Sequence, residues 1–236
     1  MLRCMAAQDP RELFDVVDAR GRPLGFAKPR GEVHRDGDWH QALHVWVVLR
    51  DPEPRLLLQR RSLEKDTWPG AVDVAVGGHL RAGEGIAEAL REAEEEIGLA
   101  LALSEVVPLG LRAYANDRAP GVRDREIQHA FGVIVARPLG ALRPDPEELA
   151  GLIAVPFAAA RALYRGEAAS ASGEAIDLAG VRSTVTIRRE DCVKSDDDYA
   201  ALVMDALGAL LEGRTPTPFA LIAEGEARFA LASTPR

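Results

Sequence analysis

The stretch from Gly77 to Leu99 constrains this chain more than any other. Ile86, Leu90, Ala93 and Ile97 recur at spacings of four, three and four residues, which predicts one amphipathic helix over about Ile86–Leu99 with a single apolar stripe. Gly98 stands where such a helix stops. The polar side carries Glu88, Glu92, Glu94, Glu95 and Glu96. Glu92 lies three residues before Glu95 and four before Glu96, so these carboxylates share a face turned away from the stripe. Like charges so spaced repel by a few tenths of a kcal/mol per exposed pair. Water alone solvates many such faces. A hard divalent cation would instead convert the repulsion into ligation, because Mg²⁺ takes carboxylate oxygens and keeps waters and phosphate oxygens in its shell. A pair of such ions can polarise a phosphoryl oxygen, acidify a bound water and stabilise a leaving oxygen.

The rest of the chain has to supply a core for that helix. Its 236 residues, 47% of them hydrophobic, suffice for one large α/β domain, or for one domain with an appended piece. The net charge of −8 disfavours nucleic-acid binding through a basic surface. It leaves phosphate-bearing small molecules open, since metal ions supply positive charge locally. The two cysteines, Cys4 and Cys192, are too few and too far apart for a Cys-based zinc site or a disulfide framework, so a reduced, cytoplasmic setting is expected. Met1 to Pro10 lacks the apolar run of a signal peptide, and no stretch approaches the roughly 20 apolar residues of a membrane span.

Strand signals surround the helix. Phe14 to Phe26 reads as strand, turn, strand; Lys28 to Trp39 reads as a polar loop holding His34, with His40 just beyond. Leu43–Leu49 and Leu56–Gln59 flank the turn Asp51-Pro52-Glu53-Pro54, and Val72–Val76 is a further strand ending at Gly77-Gly78. Strands are also predicted over about Val106–Tyr114, Ile127–Val135, Leu152–Val155 and Val181–Arg188. Helices are predicted over Phe157–Tyr164 and Asp197–Leu211, the second with Tyr199, Val203, Ala206 and Leu210 on one side. Gly166–Gly173 is small and polar and reads as a loop. A boundary is placed near Leu163, dividing residues 1–163 from a mainly helical extension over 164–236 that covers the site or builds a homodimer contact.

Gly78-His79-Leu80-Arg81-Ala82-Gly83-Glu84, followed by Arg91-Glu92-Ala93-Glu94-Glu95-Glu96-Ile97-Gly98-Leu99, resembles the Nudix box. That pattern is Gly, five residues, Glu, seven residues, then Arg-Glu-apolar-x-Glu-Glu-x-Gly-apolar. The second half matches at every specified position, whereas six residues separate Glu84 from Arg91, one short of the pattern. The unbroken stripe from Ile86 onward predicts that the loop around Glu84 absorbs the missing residue and that the helix keeps its register. Asp18–Arg30, Trp39–Trp46 and Leu57–Gly70 are similar to the Nudix branch related to isopentenyl-diphosphate isomerase, so the likeness covers about Phe14–Phe157. The implied fold is a mixed sheet sandwiched between helices.

The resemblance also implies site residues. Glu92 and Glu96 match the principal metal ligands, Glu95 a third ligand or the base that activates water, and the carbonyl near Gly77 a further ligand. Arg91 would orient the carboxylates; without the motif it reads as a helix-surface salt bridge. Glu84 is expected to turn toward Arg91 or the metal cluster without ligating. Glu126 stands where acidic residues bind metal in the isomerase branch, or is a hairpin charge. Glu147 and Glu148 lie in a loop that holds a catalytic Glu in some Nudix hydrolases, or are solvated. His79, His34 and His40 are candidates for metal or phosphate contact, each alone better read as structural. Arg60 and Arg61 either face substrate phosphates or form a surface pair. The implied activity is Mg²⁺- or Mn²⁺-dependent hydrolysis of a nucleoside di- or triphosphate, or of a nucleoside diphosphate linked to another group. The alternatives are an isomerase of isopentenyl diphosphate and a non-catalytic nucleotide-binding module. The isomerase uses a Cys, and the matching segment Asp73–His79 has none.

Overall fold

Strict alternation along one long strand sets the architecture. In β3 (Trp39–Arg50), Leu43, Val45, Val47 and Leu49 are buried in one cluster, and Trp46 and Val48 in another. Successive side chains of a strand point to opposite faces, so β3 must be covered on both sides. The computed structural model describes residues 9–65, 67–116, 121–194 and 196–222. Its sheet runs β11-β10-β9-β4-β3-β8-β7-β12, with β1 and β2 at the start of β3, β5 on β4 and β6 on β3. The strands are β1 (Leu13–Val17), β2 (Pro23–Pro29), β4 (Pro54–Arg61), β5 (Val72–Val74), β6 (Val76–His79), β7 (Val107–Asn116), β8 (Asp124–Val135), β9 (Leu149–Pro156), β10 (Ser170–Asp177), β11 (Arg182–Arg188) and β12 (Phe219–Leu221). β3 and β8 pair in parallel, and most other neighbours are antiparallel, giving the mixed sheet expected.

The helices are α1 (Arg30–Asp36), α2 (Ile86–Ala89), α3 (Arg91–Ile97), α4 (Phe157–Tyr164) and α5 (Tyr199–Leu211). Leu90, Ala93 and Ile97 pack on the Leu43/Val45/Val47 face. Leu163 of α4 and Val203, Met204 and Leu207 of α5 pack on the Trp46/Val48 face. No helix among the described residues is long and apolar enough to cross a membrane.

Four sequence expectations need correction. The stretch read as a loop from Lys28 contains α1, which starts after Pro29 and ends on Gly37 at φ 75°. The loop read at Gly166–Gly173 ends in β10, which pairs with β9 and β11. Among the described residues the segment after residue 163 is therefore not mainly helical: a hairpin extends the same sheet, and α5 buries its apolar side within the chain. Finally, the Glu-rich helix is interrupted. α2 begins directly after Gly85, leaving no loop beyond Glu84 to absorb the missing residue. The break falls at Leu90, where the Ala93 N–H bonds the Leu90 carbonyl in a three-residue step. Leu90, Ala93 and Ile97 are all buried nonetheless, so the stripe survives the break. Gly98 closes α3 at φ 68°, a conformation that favours glycine.

Candidate active site

A cavity of about 140 Å³ opens between the Nudix-box helix, β3, β8 and the start of α5. Glu92 and Glu96 line it from α3. They reach it because Gly77 and Gly78 leave the neighbouring strand bare: a Cβ on Gly78 would sit 2.5 Å from Glu92 Cδ. Glu96 is 2% exposed, and its Oε2 accepts from the Gly77 N–H at 3.3 Å and from Gln59 Nε2 at 3.5 Å. Burial, then the charge of Glu92, pushes the Glu96 carboxyl up to about 8. Burial also raises Glu92, against the pull of Arg91. Two buried carboxyls that resist ionisation side by side are a site in need of a cation.

Arg91 holds the box together. Its Nε and Nη2 grip both oxygens of Glu84 at 2.9 and 3.0 Å, and its Nη1 donates to Glu92 and, at 2.8 Å, to Glu95. Glu84 also accepts from the Arg81 N–H at 2.8 Å, and it is not on the cavity wall. Glu95 is half-exposed and also off the wall, tied to the site through Arg91.

A second group reaches the same cavity through His79 and Asp124, with His34 and His40 behind them. His34 from α1, His40 from β3, His79 from β6 and Asp124 from β8 each bring a ligand atom within 4.8 Å of the others. His40 Nε2 lies 3.6 Å and His34 Nε2 3.8 Å from Asp124 Oδ1. All three atoms are buried without a hydrogen-bond partner. Burial lowers His34 to about 2 and His40 to about 3, so both are neutral imidazoles able to ligate. Burial, then the charge of Glu126, raises Asp124 to about 7. Orphaned buried donors and acceptors are costly, and a metal ion satisfies all three at once. Glu126 adjoins the group: its Oε1 meets His79 Nε2 at 3.0 Å, and its Oε2 accepts from Gln128 Nε2. Burial alone would raise its carboxyl, but the hydrogen bond and charge of His79 outweigh that and hold it well below the usual range.

The remaining candidates divide by strand alternation. Arg61 lines the cavity, with Nη1 on Asp73 at 3.1 Å and Nη2 on the Thr67 carbonyl at 2.9 Å. Arg60 points the other way and bonds the Gly70 carbonyl at 3.2 Å. Glu148 lines the cavity and pairs with Lys65, whose ammonium burial lowers to about 8. Glu147 is exposed. Sequence reasoning missed Lys65 and Asp124 and gave His34 and His40 no joint role. The signal was available: Asp124, Glu126 and Gln128 alternate along β8, and His40 is the register partner of Glu126 across the parallel β3–β8 ladder. Cys192, distant in sequence, also lines the cavity; its thiol is pushed up by burial and takes part in a 3.8 Å contact with the Tyr164 hydroxyl. Cys4 lies outside the described residues.

A family model described as "NUDIX domain" matches residues 40–176, more than half of the chain, and the chain belongs to that family. The match crosses the boundary placed near residue 163. Nudix hydrolase 3 of Arabidopsis thaliana is 38% identical over 152 residues, covering 62% of this chain and 19% of that protein. The chain thus matches about a fifth of that relative's length. An uncharacterized Nudix hydrolase of Clostridium acetobutylicum is 32% identical over 145 residues, 61% of this chain and 69% of that one. The isopentenyl-diphosphate Delta-isomerase of Clavibacter sepedonicus is 39% identical over 140 residues, 58% of this chain and 70% of that one.

Proposed function

We propose that this chain is a metal-dependent Nudix pyrophosphohydrolase that cleaves a diphosphate linkage in a small molecule: a nucleoside di- or triphosphate, or a nucleoside diphosphate carrying another group. The observation that carries the reading is one cavity walled by Glu92, Glu96, His79, Asp124 and Glu126, with the buried, unpartnered ring nitrogens of His34 and His40 beside Asp124. Glu92 and Glu96 would hold one ion, with the Gly77 carbonyl as a further ligand and Glu95, off the cavity wall but tied to Glu92 through Arg91, as the third carboxylate. An all-oxygen set of this kind suits Mg²⁺ or Mn²⁺. The His34, His40, His79 and Asp124 set, with Glu126 beside it, suits a transition ion such as Mn²⁺ better than Mg²⁺, because imidazole is a poor partner for the harder ion. Bound divalent ions would neutralise the phosphates and lower the pKa of the attacking water.

The chain's own residues do the rest. Arg61 and Lys65, also on the cavity wall, present cationic groups to the phosphates. Arg91 keeps the carboxylates in place, so that they need no reorganisation when charge develops on the phosphoryl oxygens. Glu148, paired with Lys65 on the cavity wall, is a carboxylate placed to take a proton, whereas Glu126, held ionised by His79, serves the metal group instead.

The relatives named as isomerases favour a second reading, proton transfer on isopentenyl diphosphate. Against it stands the absence of a Cys from Asp73 to His79, and Cys192, the Cys on the wall among the described residues, is a buried, protonated thiol. A panel of nucleotides, nucleotide sugars and isopentenyl diphosphate, each with Mg²⁺ or Mn²⁺ and scored by product identity, decides between them. Metal-dependent phosphate-bond cleavage supports the hydrolase; deuterium uptake into isopentenyl diphosphate supports the isomerase; metal binding without turnover supports a binding module.

A further inference from the structure

His44 is the one histidine on the cavity wall outside the metal-ligating group. It lies on the face of β3 that meets α5. Its Nδ1 is 2.9 Å from the Tyr199 hydroxyl, and the Trp46 indole N–H donates to that same hydroxyl at 3.0 Å. The edge carrying Nε2 faces Gly77, with Nε2 3.9 Å from the point a Cβ there would occupy. The proton arithmetic of this chain is restrictive. A phenol has one hydrogen to donate. With Trp46 already donating to the Tyr199 oxygen, the Tyr199 O–H is free to donate to His44 Nδ1. Were Nδ1 to carry the hydrogen instead, the phenol would accept twice and donate to neither of these two partners. The network is satisfied when Nδ1 is the acceptor and Nε2 carries the hydrogen. A ring whose Nδ1 accepts is a neutral imidazole with its one hydrogen on Nε2.

We propose that His44 is a substrate-binding hydrogen-bond donor, and that Tyr199 is the positioning residue that fixes its tautomer. Nε2–H then meets the substrate oxygen joining the diphosphate to the group it carries. On one side of Nε2 lie Gly77 and the carboxylate of Glu96, to which the Gly77 N–H donates. On the other side, Trp46, Tyr164 and Tyr199 form an aromatic end, with the Trp46 and Tyr164 rings 6.0 Å apart at 87°. The junction oxygen of an ester of diphosphate falls between those two ends. This inference rests on the diphosphate reading above. It also gives α5 a part in the site, because Tyr199 is the first residue of that helix.

Three variants of the full chain test it: His44→Gln, His44→Ala and Tyr199→Phe. A Gln amide nitrogen occupies about the place of a histidine Nε2 and retains the donor; Ala retains nothing. Binding of ADP with Mn²⁺, followed by calorimetry, is expected to weaken about 10–100-fold in His44→Ala, the scale of one lost hydrogen bond to a charged ligand. His44→Gln should stay within about 3-fold of wild type on the same scale. Nitrogen-15 NMR of the five histidines, with His44 assigned by its loss in His44→Gln, should show the Nε2–H tautomer in wild type and a mixture in Tyr199→Phe. A wild-type Nδ1–H tautomer, equal weakening in His44→Gln and His44→Ala, or no binding of ADP to wild type overturns the proposal. Normal binding patterns without any hydrolysis would refute the pyrophosphohydrolase reading and leave this one standing.

Discussion

Removing one buried charge should make the metal-free protein more stable while disabling it. Glu96 is 2% exposed and its carboxyl is raised from 4.5 to about 8, first by burial and then by Glu92. A folded-state pKa above the unfolded one means that the folded protein holds the extra proton. The stabilising contribution is complete below pH 4.5 and is lost as pH rises through about 8. At about 1.4 kcal/mol per pH unit, that window amounts to roughly 3–5 kcal/mol. Glu96→Gln keeps the shape and the hydrogen-bond acceptor and removes the titration. In chelator, thermal melts at pH 5, 7 and 8.5 should show wild type losing stability across the series and the variant losing less. The variant's slope will not vanish, because Asp124, raised from 3.8 to about 7, titrates in an overlapping range. Added Mn²⁺ should then stabilise wild type by about 2.7 kcal/mol at a hundredfold excess over Kd and the variant by clearly less. Turnover should fall at least about 100-fold, the scale of losing a key electrostatic group. Parallel pH slopes in wild type and variant, or near-normal turnover in Glu96→Gln, would refute the assignment of Glu96.

Three further outcomes follow from the same geometry. Glu84→Gln should cost clearly less activity than Glu96→Gln, because Glu84 grips Arg91 and not the cavity; equal loss with a parallel fall in metal affinity would place it among the ligands. Arg61→Ala should raise KM for a diphosphate substrate about tenfold or more, whereas Arg60→Ala should change it less than about twofold, the ordinary range for surface substitutions. Steady-state kinetics of the two variants measure this contrast directly. Gly78→Ala should displace Glu92, since the new Cβ would lie 2.5 Å from its Cδ; Mn²⁺ titration by electron paramagnetic resonance should show weaker binding in a protein whose circular dichroism is unchanged.

Much of this arrangement was written in the sequence as pattern. Continuous β-rich, apolar runs at Leu43–Leu49 and Leu56–Gln59 marked strands covered on both faces, and the Nudix-box pattern singled out Arg91, Glu92 and Glu96, which the fold brings together. What escaped did so for physical reasons. α1 is only seven residues long and buries Val33 and His34 alone, too little for a 3.6-residue stripe to declare itself. β10 is poor in apolar residues because part of it must admit close backbone approach: a Cβ on Gly173 would lie 2.6 Å from the Ala154 carbonyl oxygen. The break at Leu90 was hidden because a stripe at four, three and four persists across a three-residue step. The His34, His40, His79 and Asp124 group draws on a helix and three strands, and the pairing of β3 with β8 and with β6 brings it together. Tyr199 reaches the site across more than 150 residues of chain, a distance at which local pattern carries no signal.

The central claim is that these carboxylates and histidines hold metal ions that drive attack of water on phosphorus. Its most direct measurement is turnover of the diphosphate panel in ¹⁸O-water with Mn²⁺, followed by phosphorus-31 NMR. The account predicts one ¹⁸O atom in one of the two phosphate-bearing products, no reaction in chelator, and none above background in a Glu92→Gln, Glu96→Gln double variant. Turnover unaffected by chelator or by the double variant, or conversion of isopentenyl diphosphate with deuterium uptake and no phosphate cleavage, would contradict it.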